Sequence, residues 1–269
     1  MTASSETPTR RAVLRARTAI EIRNAARDLL RRTGASGLSL RAVARSLGMT
    51  APALYRYYDG RDALLEALSV DAYDALTACL VRAASAEDHP VRRLVAASLA
   101  YRQWALDATH EFALVFGTPV PGFEPGDDSP VGAAGARFGE VFLDLLRAAA
   151  GASPELRPMP IDQLPRPLVQ RLEALAAVWP HEQAPAWLLQ LWLSCWGRIH
   201  GAVSLEVFGH LRFVTGESAA AVGEQLFRSQ LAELGALYGL GSAADSFAVP
   251  SPTSGRSSVA HRAAVTFDT

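Results

Sequence analysis

No lysine occurs in this chain. All 26 basic residues are arginine, which points to coding bias in a GC-rich genome more than to chemistry. Cysteine is almost absent too: Cys79 and Cys195 stand far apart, so neither a disulfide framework nor a metal cluster is indicated. Long apolar runs are missing. The longest, Ala184 to Trp196, is interrupted by Gln190 and followed by Arg198, and is too short to span a membrane. The N-terminal residues carry arginine but not the apolar stretch of a secretory signal. A soluble, cytoplasmic protein is therefore expected. With 269 residues, 49% of them hydrophobic, it has ample core, and its length allows one or two domains.

Catalytic signatures are missing as well. The pairs His110–Glu111 and His181–Glu182 lack the second histidine that HExxH zinc chemistry needs. The stretch GLGSAA at 239–244 follows a helical pattern and opens a tail, so it is no dinucleotide loop. No Gly-x-Ser-x-Gly elbow, strand alternation or internal repeat is found. Neither enzymatic activity nor a cofactor is expected.

Charge, by contrast, is unevenly placed. Residues 1–61 carry 12 arginines against four acids (Glu6, Glu21, Asp28, Asp59), a balance of +8. Residues 62–269 hold the remaining 14 basic and 23 acidic groups, a balance of −9. A basic head on an acidic body is the footprint of a nucleic-acid module joined to something else, although a solvated helix face has the same composition.

Residues 39–64, SLRAVARSLGMTAPALYRYYDGRDALL, decide between those readings. Leu40, Val43, Ala44 and Leu47 repeat at i, i+3, i+4, i+7, an apolar helix stripe, and Ser39 precedes them as an N-cap. Gly48 stands where a left-handed residue closes a helix. Thr50 can cap a second helix with Pro52 in its first turn. Leu54 and Tyr58 can anchor that helix to the first, and Asp59 with Asp62 can cap a third near Arg61. Helix, three-residue turn, helix is the DNA-binding helix-turn-helix pattern.

Upstream, Ile22, Ala26, Leu29 and Leu30 form an inward stripe on a helix of roughly residues 16–32, ended by Gly34 and Gly37. Downstream, helices are expected over about 62–84, 91–108, 110–116, 131–149, 168–179, 185–208 and 217–240. Proline-rich loops separate them at 117–130 and 151–167. The domains expected are a flexible basic leader (1–14), a helix-turn-helix domain (15–61), a helical ligand-binding and dimerisation domain (62–240) and a disordered tail (241–269).

The stretch from about Thr18 to Leu65 resembles the DNA-binding domain of TetR-family transcriptional regulators. SLRAVARSLGM matches its second helix, TAPALYRYY its recognition helix and RDALL the opening of its fourth; Arg61 replaces the family's usual lysine. The resemblance implies an all-α homodimer whose N-terminal three-helix head reads a palindromic operator on double-stranded DNA. It also implies a C-terminal domain that dimerises and binds a small-molecule effector.

Candidate DNA contacts follow by chemistry. Arg41 matches a family position able to reach a guanine edge; a phosphate contact is its alternative. Ala51, Pro52 and Ala53 can read thymine methyls or groove shape, or simply start the helix. Tyr55 and Tyr57 can straddle backbone phosphates. Ser39, Thr50 and Arg61 sit at helix N-termini, which favour phosphate. Arg45 and Arg56 supply general electrostatics. Arg10, Arg11, Arg15 and Arg17 form either an arm in the minor groove or a leader of nonspecific affinity.

In the C-terminal half, WGRIHGAVSLEVFG (196–209) resembles a Trp-x-x-x-His-Gly signature of one TetR subgroup, and FGTPVPGFEP (116–125) its companion loop. Trp196 and His200 can wall an effector pocket with Tyr101, Trp104, His110, Phe112 and Phe116, or they are core. Segments 185–208 and 217–240 are the dimerisation candidates. Gly197 and Gly201 lie one turn apart, with Val203 and Val207 nearby and Val222, Leu226, Ser229, Leu234 and Leu237 opposite. The function expected is a ligand-responsive repressor; an activator or a partner-dependent regulator is the alternative.

Overall fold

The 3.6-residue apolar period sets every element of this chain. The computed structural model describes residues 9–178, 184–216 and 219–240, and among them there is no strand. Helix α1 (Arg10–Thr33) turns Ile22, Ala26 and Leu30 inward. Gly34, at φ 69°, ends it in a backbone conformation that a side chain would oppose. Helices α2 (Leu40–Ser46) and α3 (Ala51–Tyr55) follow across Gly48, at φ 64°. Helix α4 (Arg61–Ser85) is the link to the rest.

The larger domain contains α5 (Pro90–Asp107), α6 (Thr109–Phe116), α7 (Pro130–Gly151), α8 (Arg166–Val178), α9 (Ala186–Val207), α10 (Arg212–Thr215) and α11 (Ala219–Tyr238). Proline opens α5 and α7, where no amide partner is lost. Ser129 caps α7 by accepting from the Gly132 amide at 3.1 Å.

Two cores result. The head core gathers Ile22, Ala26, Leu38, Leu40, Val43, Leu54 and Tyr58. The second core packs α4, α5, α7, α9 and α11 around Leu76, Tyr101, Phe142, Leu188 and Phe227. Each fully buried leucine here contributes about 1.5–3 kcal/mol relative to exposure. Helix α4 belongs to both: Leu64, Leu65 and Leu68 complete the head core, while Leu76, Leu80 and Ala84 lie in the other. A charged latch adds to this. Arg23 and Arg27 of α1 meet Asp71 Oδ2 on α4 at 2.8 and 2.9 Å, and Arg23 also donates to the Tyr58 hydroxyl at 3.2 Å.

Several details differ from the sequence expectation. α1 begins at Arg10, inside the stretch expected as leader, because Thr9 Oγ1 accepts from the Ala12 amide at 3.3 Å and starts the helix early. Gly60, at φ 134°, and not Asp59, occupies the cap of α4. Ser39 and Thr50 hold cap positions with extended backbone, yet neither side chain accepts an amide, which leaves their hydroxyls available. The single turn α10 was not expected. The leader to residue 8, Trp179, His181–Glu182, residue 217 and the tail from 241 lie outside the described residues.

On the outer side of α9 and α11, Gly197 and Gly201 line a groove of about 430 Å³ with Leu205 and Leu237. A Cβ added at either glycine would meet nothing within 4 Å, so no close approach inside the chain explains them. Val203 and Leu234, in contrast, are buried within the chain. The expected pairing face is therefore divided between an internal and an open side. None of the described helices is long and apolar enough to cross a membrane.

Candidate nucleic-acid interface and effector core

The head presents its polar residues on the side its core stripe leaves free. α2 buries Leu40, Val43 and Ala44, which turns Arg41 and Arg45, four apart, to solvent. α3 is held by Leu54, with no exposed surface, and by Tyr58 just beyond it. Thr50, Pro52, Tyr55 and Arg56 are then exposed, and Ala51 and Ala53 half-buried. Tyr55 leaves 51% of its surface to solvent, so its hydroxyl is free to reach a phosphate.

Two candidate residues are placed otherwise. Tyr57 is half-buried against the head core, with the Arg15 guanidinium 5.8 Å from its ring centre. Arg61 Nη2 donates to the Ala35 carbonyl at 3.1 Å, pinning the turn before α2 to the start of α4. Ser39, exposed at the start of α2, keeps its expected position.

A second constellation occupies the larger domain. Tyr101, Phe112, Phe116, Trp196 and His200, expected to lie together, do so, and Phe138 and Phe142 of α7 join them. Trp196 stacks on His200 at 4.9 Å and 20°. The α7 pair was legible in principle, four apart on one face, but no motif marked it. Trp104 packs against the second core without joining the rings. His110 is half-buried in the first turn of α6, and no ring contact places it in the cluster.

One polar chain runs through these rings. The Tyr101 hydroxyl lies 2.7 Å from His200 Nδ1, and His200 Nε2 lies 3.3 Å from Ser204 Oγ. Burial raises the Tyr101 pKa, with a further push from Tyr73, so the phenol stays protonated. Burial lowers the His200 pKa below its ordinary 6.5, so the ring is neutral near pH 7. With the phenol donating to Nδ1, the imidazole proton sits on Nε2 and faces Ser204. Protonation therefore favours the unfolded chain. Stability is full above about pH 6.5 and is lost as pH falls through that value toward the lower folded pKa. Thermal melts from pH 8 to 5 should fall more steeply for the wild type than for His200→Gln; parallel curves would remove His200 from this role.

A small cavity of about 30 Å³, room for about one water, lies against Trp196, Phe142, Cys195 and Ser98. The rings otherwise fill the space between α5, α6, α7 and α9.

Helix α6 connects the two constellations. Phe112 and Phe116 enter the rings, while Leu114 packs on the head core. Glu111, nearly buried, lies 3.9 Å from Arg31 Nη1 of α1. The loop after α6 then turns at Gly122, with the Phe123 amide on the Val120 carbonyl at 2.9 Å, and sets Val120 and Phe123 into the head core. The ring cluster and the reading head are thus in contact through one short helix and its loop.

Comparison with known proteins agrees with this layout. Residues 22–68 match the profile of bacterial regulatory proteins of the tetR family. Residues 94–234 match the profile of the tetracyclin repressor-like C-terminal domain. The chain is 37% identical over 178 residues to the HTH-type transcriptional regulator Rv1816 of Mycobacterium tuberculosis (strain ATCC 25618 / H37Rv), covering 65% of this chain and 74% of that one. The same figures hold for the HTH-type transcriptional regulator Mb1846 of Mycobacterium bovis. Among solved structures, the putative regulatory protein SCO4313 superposes with a TM-score of 0.66 at 34% identity, over 85% of this chain and 98% of that one. The head with its turn at Gly48, the helical body and these matches together place the chain in the TetR family of bacterial transcriptional regulators.

Proposed function

We propose that this regulator is a repressor that grips a palindromic operator as a homodimer and lets go when a small apolar effector enters its larger domain. The observation that carries the reading is the division of labour on α6. One eight-residue helix sets Phe112 and Phe116 among the rings and Leu114 against the head. An effector that repacks the rings must therefore act on the contact with the head, and it shifts the population only by its differential affinity for the two arrangements.

On the DNA side, Arg41 reads a base edge, and Pro52 with Ala51 and Ala53 faces the groove. Ser39, Thr50, Tyr55 and Arg56 hold phosphates, while Tyr57 and Arg61 support the others from within. The effector site is formed by Tyr101, Phe112, Phe116, Trp196 and His200, with the Tyr101–His200–Ser204 chain orienting a polar group of the ligand. The signature at Trp196, His200 and Gly201 assigns the chain to the Trp-x-x-x-His-Gly subgroup. The homodimer forms through 185–208 and 217–240, where the open glycines of α9 admit a second copy. Two heads then meet half-sites roughly 34–36 Å apart in the cytoplasm.

Footprinting of the purified protein upstream of its own gene tests this reading. Protection of an inverted repeat is expected, together with release by a compound that also raises the melting temperature. A strictly monomeric protein that ignores every duplex in dilute buffer overturns it.

A further inference from the structure

The arginines of α1 divide into two groups. Arg17 pairs with Glu21, Arg23 and Arg27 share Asp71, and Arg31 pairs with Asp28. Arg10, Arg11 and Arg15 have no carboxylate partner among the described residues, and neither does Arg56 just beyond α3. Arg11, Arg15 and Thr18 lie on one face of α1 and look across at Ala53, Arg56 and Tyr57. Between the two walls runs a groove of about 320 Å³, and no acidic residue lines it.

We propose that this groove clamps one or two phosphates of the DNA backbone beside the half-site, with Arg11, Arg15 and Arg56 as the jaws. The inference rests on the DNA-binding reading and adds a site to it. Arg15 is already oriented: its Nη2 donates to the Arg56 carbonyl at 3.3 Å, and its guanidinium lies over Tyr57 at 5.8 Å. A guanidinium held in this way still offers a planar fork to a phosphate. Three like charges around one groove repel one another, and an anion between them relieves the repulsion.

The helical start of α1 decides which part of DNA is met. Arg11 and Arg15 stand on a regular helix capped by Thr9, not on an extended arm. An α-helix is about 10–12 Å across with its side chains, whereas the minor groove is about 6 Å wide. The helix cannot enter, so its arginines meet the phosphate ridge. Such contacts fix position without reading sequence.

Operator affinity measured over a salt series tests the clamp, with wild type compared to the Arg11→Ala/Arg15→Ala double variant. Both arginines are exposed, so the fold should persist. The slope of log K against log salt should fall by about two, at about 0.9 per phosphate lost, while the ratio of operator to scrambled-duplex affinity stays constant. An unchanged slope overturns the clamp and leaves the DNA-binding reading intact. A collapse of the ratio with an unchanged slope overturns it in favour of base reading. A wild type that binds no duplex sinks both. Inorganic phosphate, titrated at constant ionic strength, should move the melting temperatures of the two proteins equally. Stabilisation confined to the wild type would make the groove a free-anion site and overturn the backbone assignment.

Discussion

Replacing Arg41 with alanine and Tyr55 with phenylalanine together should weaken operator binding by about 100-fold or more. A bidentate arginine–guanine pair is worth about 1–3 kcal/mol, and a hydrogen bond to a charged group about 1.5–3 kcal/mol. Both side chains are exposed and neither supports the head core, so loss of binding cannot be charged to unfolding. The two parts separate by specificity. Arg41→Ala alone should relax discrimination at one base pair, whereas Tyr55→Phe should weaken all duplexes alike. Fluorescence anisotropy at fixed salt with operator and scrambled duplex reads both, and unchanged affinity in the double variant would refute the assigned roles.

The second large effect lies in the rings. Phe112 has no exposed surface and meets Tyr101, Phe116, His200 and Phe208 at 5.2–6.3 Å between ring centres. Phe112→Ala should lower the unfolding free energy by about 3–5 kcal/mol, the lost transfer energy plus the cavity left behind. Urea unfolding at pH 7.5 checks it: the midpoint should drop while the slope holds. A midpoint within error of the wild type would mean that α6 does not pack as described. The same cavity opens beside His200, so a small aromatic compound added in excess should restore part of the loss.

Much of this was readable in the chain. The head was legible because its signals are local: the stripe Leu40–Val43–Ala44, the glycine at 48 and the exposed Tyr55 all depend on neighbours a few residues away. The helical body was legible for the same reason, through its period and its prolines. What escaped was set by distance. Arg61 and Tyr57 look like DNA contacts in sequence, but Ala35 and Arg15, 26 and 42 positions away, occupy them in the fold. Phe138 and Phe142 join the rings only because α7 folds back across α5, and Ser204 matters only because His200 points at it. Trp104 and His110 share the composition of the cluster without its geometry. The start of α1 was missed because one threonine hydroxyl outweighed the polar look of the leader.

The sharing of α4 between both cores also bears on how such proteins can be recombined. Cutting at residue 61, where the chemistry of the head ends, would leave Leu64, Leu65 and Leu68 in the wrong fragment and strip the head of three buried side chains. A chimera that grafts this head onto another body has to keep α4 at least through Asp71, so that the latch from Arg23 and Arg27 travels with it. The exchangeable module is therefore the head plus the first half of its connecting helix, and the natural crossover lies between Asp71 and Leu76.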